Sequence, residues 1–71
     1  MTVRVRNSME VVATDDRTGT VVARANRGDF GKDWFIGRII YGKMTQIATV
    51  SGHAPEVMQR KLVLAILKEV S

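Results

Sequence analysis

Residues Trp34 to Val50, WFIGRIIYGKMTQIATV, decide how the rest of this chain is read. A run rich in aromatic and β-branched residues stands on each side of a tight glycine-containing break, the pattern of a β-hairpin with Gly42-Lys43 as a two-residue loop. With that loop Tyr41 pairs with Met44, and because side chains alternate faces along a strand, the whole register follows. One face then collects Phe35, Gly37, Ile39 and Tyr41 opposite Val50, Ala48, Gln46 and Met44. It is nearly free of charge and holds a glycine that lets a helix approach, which assigns it to the core. The other face collects Trp34, Ile36, Arg38 and Ile40 opposite Ser51, Thr49, Ile47 and Thr45. A tryptophan, an arginine and two threonines among apolar residues mark that face as one that meets a partner.

Downstream, after Ser51-Gly52-His53, a helix is expected from about Ala54 or Pro55 to about Val70. Proline suits a first turn, Glu56 sits near the positive end of the helix dipole and Lys68 near the negative end. At about 100° per residue, Ala54, Met58, Leu62, Ala65 and Ile66 form one stripe, which should lie over Gly37 and Ala48. Val63, Leu67 and Val70 widen the apolar arc on one flank, and Val57 and Leu64 on the other. An ordinary surface helix has a narrower apolar face, so the excess points to a homodimer contact through Val63, Leu64, Leu67 and Val70.

Upstream, Thr2 to Arg6 alternates valine with arginine, as a short edge strand does when its charges discourage stray pairing. Asn7-Ser8 is a break, and Met9 to Thr14 either starts a second strand or continues Thr2 to Thr14 as one long bent strand. Asp15-Asp16-Arg17-Thr18-Gly19 is a turn by composition, with Arg17 to Gly19 as a three-residue loop and Gly19 as its left-handed residue. Val11 and Ala13 then share a face with Val21, Ala23 and Ala25, while Glu10, Val12 and Thr14 share the other with Val22, Arg24 and Asn26. The first of these faces is expected to continue the Phe35 face. Between the hairpins, Asn26 to Asp33 is a surface loop, with Phe30 packing it onto the sheet. Its Arg27-Gly28-Asp29 tripeptide is that of cell-adhesion ligands, a three-residue match that chance explains.

The fold expected is a single small α+β domain over residues 1–71, an antiparallel four-stranded meander (β-β-β-β-α) with one C-terminal helix packed on one sheet face. No cysteine staples it, and a core of this size supplies only a few kcal/mol, so a partner or a second copy is a natural source of further stability. There is no apolar run of membrane-spanning length and no signal-peptide h-region, so the expected address is cytoplasmic, with no membrane partner.

Eleven Lys and Arg against seven Asp and Glu give a formal charge of +4, a balance that favours polyanionic partners. Catalysis lacks parts. There is one histidine, no cysteine, and no spacing that assembles a metal site or a nucleophile with its base, so neither an enzyme nor a cofactor is expected. His53 reads as a cap or an exposed residue, Asp15-Asp16 as a solvated turn. Nucleic-acid binding is the sharper expectation: Trp34 to stack or pack, and Arg24, Arg27, Lys32, Arg38 and Lys43 to contact phosphates. The competing reading is a protein-interaction module, a small dimeric adaptor or inhibitor docking through its open sheet face or edge strand.

The four-strands-then-helix order is similar to that of the transcriptional-coactivator-type single-stranded-DNA binders, which pair through their helices. The portion Val21 to Val70 looks like the arm-binding domains of tyrosine integrases. Both similarities lie in element order and basic balance, with no motif matched residue by residue.

Overall fold

The tight turn in the Trp34 to Val50 stretch falls one residue earlier than the sequence suggests. In the computed structural model, which describes residues 1–28 and 32–70, the loop is Tyr41-Gly42, with φ of 51° and 78°. Two successive left-handed residues make a turn whose twist matches that of its flanking strands. Both placements satisfy Gly42, and moving the loop by one residue shifts the pairing by two, so Met44 and Gln46 stay on the face of Gly37 and Ile39.

Five strands precede the helix: β1 Thr2–Asn7, β2 Glu10–Thr14, β3 Val21–Arg27, β4 Trp34–Ile40 and β5 Lys43–Val50, then α1 Glu56–Val70. They form one antiparallel sheet in the order β1-β2-β3-β4-β5. The architecture is α+β, as expected, but the meander has five strands where four were expected. The first fourteen residues are not one bent strand because Asn7 reverses the chain: its side-chain oxygen accepts from the Met9 amide at 2.8 Å, and β1 folds back on β2 with Val5 opposite Val11 and Val3 opposite Ala13. Asp16 ties the other end, accepting from the Thr2 hydroxyl at 2.5 Å and from the Met1 ammonium group. The ammonium group and then that hydroxyl hold its carboxyl below the ordinary aspartate range.

Around a turn in which Gly19 has φ 70°, the β2–β3 pairing follows the expected faces from Glu10 to Ala13, with Val11 opposite Ala25 and Ala13 opposite Ala23. A bulge then sets Val21 opposite Thr14 and brings Val22, expected on the other face, against the core. The β4–β5 pairing does not follow the expected register. Ile40 faces Lys43 and Gly37 faces Gln46, then a bulge at Ile47 carries β5 one residue on, so that Ile36 faces Ala48 and Trp34 faces Val50. The buried cluster is therefore Val11, Ala13, Ala23, Ala25, Trp34, Ile36, Val50, Val63 and Leu67, with Val3, Val22, Ala48, Leu64 and Ile66 packed around it. Trp34 and Ile36, expected to meet a partner, lie beneath the helix instead. Phe35, Gly37 and Ile39, expected as its floor, face away from it. The physical reason is volume: Ala13, Ala23 and Ala25 leave a shallow floor, and Trp34 and Ile36 fill it against the helix.

The helix is rotated to match. Its buried residues are Gln59, Val63 and Leu67, whereas Val57, Met58 and Leu62 are exposed at 69%, 53% and 44%. Gln59 sets this rotation. At 4% exposure its amide donates to the carbonyls of Gly52 at 3.1 Å and Ala54 at 2.6 Å. The Gly52 amide in turn donates to Asp33 Oδ1 at 2.6 Å, which joins the start of β4 to the approach of α1. A buried amide is tolerated when its donors are satisfied, and here it fastens the turn before the helix to the sheet. Val63 and Leu67, read from sequence as dimer contacts, are thereby spent on the chain's own core, and Leu64 and Val70 are half-buried. Phe30, expected to pin the second loop, and Asp29 of the tripeptide lie outside the described residues.

Candidate nucleic-acid interface

The helix covers one face of the sheet, and no described element covers the other. Register places its side chains in rows. One row runs Arg4, Val12, Arg24, Gly37, Gln46 across all five strands, and the next runs Glu10, Asn26, Phe35, Thr49. Arg6 joins them through Glu10, its Nη1 lying 3.4 Å from Oε1. Arg24 Nε lies 3.4 Å from the other oxygen of Glu10, yet it is shielded from solvent without an aligned hydrogen bond. Two arginines thus share one carboxylate on this face, and Arg4 stands in the same row as Arg24 across Val12. A half-buried guanidinium with an unused donor is a site that favours a further acceptor.

Beneath these charges the surface is apolar and closely fitted. Val12 is 1% exposed between its register neighbours Arg4 and Arg24, whose aliphatic stems suit the covering of such a residue. Gly37 is needed here. A Cβ at this position would stand 2.6 Å from the Thr45 carbonyl oxygen and 2.8 Å from Met44 Cγ, so the glycine lets the methionine lie flat over the strand. Phe35 is 38% exposed and its ring edge approaches Gly28. Its row neighbours Asn26 and Thr49 carry hydrogen-bonding groups, and Gln46 donates to the Thr49 hydroxyl at 3.1 Å.

The six residues singled out from sequence are not brought together. Trp34 is 7% exposed and packs under α1, which leaves its indole no face for stacking: the packing role stands and the stacking role does not. Arg38 belongs to the helix side of β4, beside Ile47, Ala48, Ile66, Glu69 and Val70, whereas Arg24 lies on the uncovered side, opposite Gly37. Lys32 and Lys43 stand at opposite ends of β4. Arg27 and Lys32 do share a hollow of about 300 Å3 with Ser8, Met9 and Gly28, and the Nε of Arg27 is buried there with no hydrogen bond among the described residues. Arg4, Arg6 and Phe35 were missing from the sequence-based set. Phe35 joins the face of Arg4 and Arg24 through the β3–β4 register, because the helix covers the Trp34 and Ile36 side of β4.

His53 is exposed, its amide donating to Ser51 Oγ at 3.2 Å. No group of three or more His, Cys, Asp or Glu among the described residues is placed to hold a metal ion. No described helix is long and apolar enough to cross a membrane. Compared with protein-family models, curated proteins and solved structures, the chain matches none. What fold and geometry define is therefore a class: a small α+β protein with a helix on one face of an antiparallel sheet and a basic, uncovered surface on the other.

Proposed function

We propose that this protein is a non-enzymatic nucleic-acid-binding protein that uses the sheet face opposite its helix. The observation that carries this reading is the gathering of Arg4, Arg6 and Arg24 on a face left uncovered, where the one carboxylate of Glu10 pairs with Arg6 and Arg24 and leaves Arg4 without it. Phosphate affinity needs bases that converge, and a β-sheet of fixed register supplies that convergence without loop ordering. Arg27 and Lys32, in their hollow at the edge of the sheet, extend the basic surface. A cytoplasmic address belongs to this reading.

The test is fluorescence anisotropy with labelled DNA and RNA at two salt concentrations. Three phosphate contacts predict a roughly 20- to 40-fold loss of affinity between about 50 and about 200 mM salt, and Arg4→Glu should weaken binding further at the lower salt. Absence of binding to any nucleic acid at about 50 mM salt would remove this reading in favour of a protein-interaction module, whose affinity should change little with salt.

One observation favours self-association as a second property. Val57, Met58 and Leu62 project from the outer surface of α1, more apolar area than an isolated helix face ordinarily exposes. We propose a second copy of this chain as its cover, with these residues replacing Val63 and Leu67 as the interface.

A further inference from the structure

The uncovered face also carries information about which nucleic acid it takes. We propose that its ligand is a single strand rather than a duplex, an inference that rests on the reading above. The first ground is width. Neighbouring strands lie about 4.8 Å apart, so the axes of the two edge strands of a five-stranded sheet stand about 19 Å apart, whereas the major groove of B-form DNA is about 12 Å wide and admits a helix or a two-stranded ribbon. The arginine row begins on the edge strand β1, at Arg4, and reaches the central strand β3, at Arg24. The arginines by themselves span two strand spacings, about 10 Å, but they are part of a face whose five strands together are too wide to enter the groove.

The second ground is the ring. Phe35 is 38% exposed on β4, in the row next to that of Arg24 and Gly37, about 7 Å along the strand direction. A phenyl face is useful to a base that has left its stack, and bases in a duplex have not. Around the ring stand Asn26 and Thr49, its direct partners in register, with Gln46 bonded to Thr49. Amide and hydroxyl groups in this position suit the hydrogen-bonding edge of a base that lies on the ring. The fully exposed Tyr41 at the tip of the β4–β5 turn provides a second aromatic surface at the far end of the same strand. Bases therefore stack toward β4 while the backbone follows the arginines of β1 and β3.

The experiment compares labelled oligo-dT, oligo-U and a mixed-sequence duplex of equal length at about 50 mM salt, using the intact chain, Phe35→Leu and Phe35→Ala. Phe35→Leu keeps an apolar side chain against Gly28 and removes the aromatic face, so it stays informative should the alanine variant be poorly folded. Single strands of either sugar should bind at least about tenfold tighter than duplex, and Phe35→Leu should weaken them by about 5- to 150-fold, the range of one lost base stack, with duplex affinity unchanged. Duplex binding equal to or tighter than single-strand binding would overturn the inference and leave the nucleic-acid reading intact. So would tight single-strand binding that is indifferent to Phe35→Leu. Failure of all three ligands to bind would remove both.

Discussion

Trp34 is the residue on which structure and function divide. The only tryptophan in the chain, it sits 7% exposed beneath α1 and opposite Val50, on the side of the sheet away from the proposed ligand. Its fluorescence should accordingly be blue-shifted in the folded protein and shift to the red on unfolding. Addition of saturating oligo-dT should leave it nearly unquenched. Strong quenching by nucleic acid would place a base against the indole and contradict the burial described here. The arginines of the other face behave differently, because Arg6 and Arg24 are held near Glu10 without closing every donor. From sequence these residues were legible as bases and an acid. The common face of Glu10 and Arg24 was legible from the β2–β3 register, but the approach of Arg6 was not, because it depends on β1 folding back on β2 at Asn7.

At the scale of elements, the helix shows how much periodicity leaves open. Its extent was readable: Pro55 precedes it, Glu56 and Lys68 occupy its two ends as the dipole favours, and it runs to Val70. Its rotation was not, because the Met58, Leu62, Ala65 stripe and the Gln59, Val63, Leu67 stripe are both compatible with a 3.6-residue repeat. Gln59 looks polar in sequence and is buried in the fold, because the Gly52 and Ala54 carbonyls stand within its reach. The rotation has a direct test. Val63→Ala and Leu67→Ala should each lower unfolding free energy, by about 1 to 3 kcal/mol for the valine and about 2 to 5 kcal/mol for the leucine. Leu62→Lys should change the stability of the monomer by no more than about 0.5 kcal/mol. Chemical denaturation of the three variants gives the answer, and a destabilising Leu62→Lys beside a neutral Val63→Ala would reverse the face assignment.

The whole molecule is a thin sandwich with a small core, and three of the nine residues of its buried cluster are alanine. With no disulfide and so few large side chains inside, its stability as a monomer is expected to be modest, which gives the exposed Val57, Met58 and Leu62 physical weight. If two copies cover that surface, light scattering should report twice the 7.9 kDa of the chain, and the melting temperature should rise with protein concentration. Leu62→Lys should return the mass to that of one chain and abolish the concentration dependence. A monomer at every concentration would mean that the outer helix surface is simply solvated. The edges of the sheet are poor alternatives for association. β1 carries Arg4 and Arg6, and β5 is kinked by its bulge at Ile47, two devices that discourage strand addition.

By itself the sequence determined the α+β class, the single C-terminal helix and its approximate limits, the inward placing of Val11, Ala13, Ala23 and Ala25, and the basic balance, but not the number of strands. All of these follow from local chemistry: alternation, turn residues, helix-end charges and composition. Only the tertiary structure decided which side of the β4–β5 hairpin lies under the helix. Tyr41-Gly42 and Gly42-Lys43 are both acceptable loops, and Phe35-Gly37-Ile39 and Trp34-Ile36 are both acceptable apolar faces, so no local term separates them. The choice is made when the alanine floor of β2 and β3 must be filled. Trp34 and Ile36 fill it against Val63 and Leu67, and that act of packing leaves Phe35 with the arginines on the uncovered face.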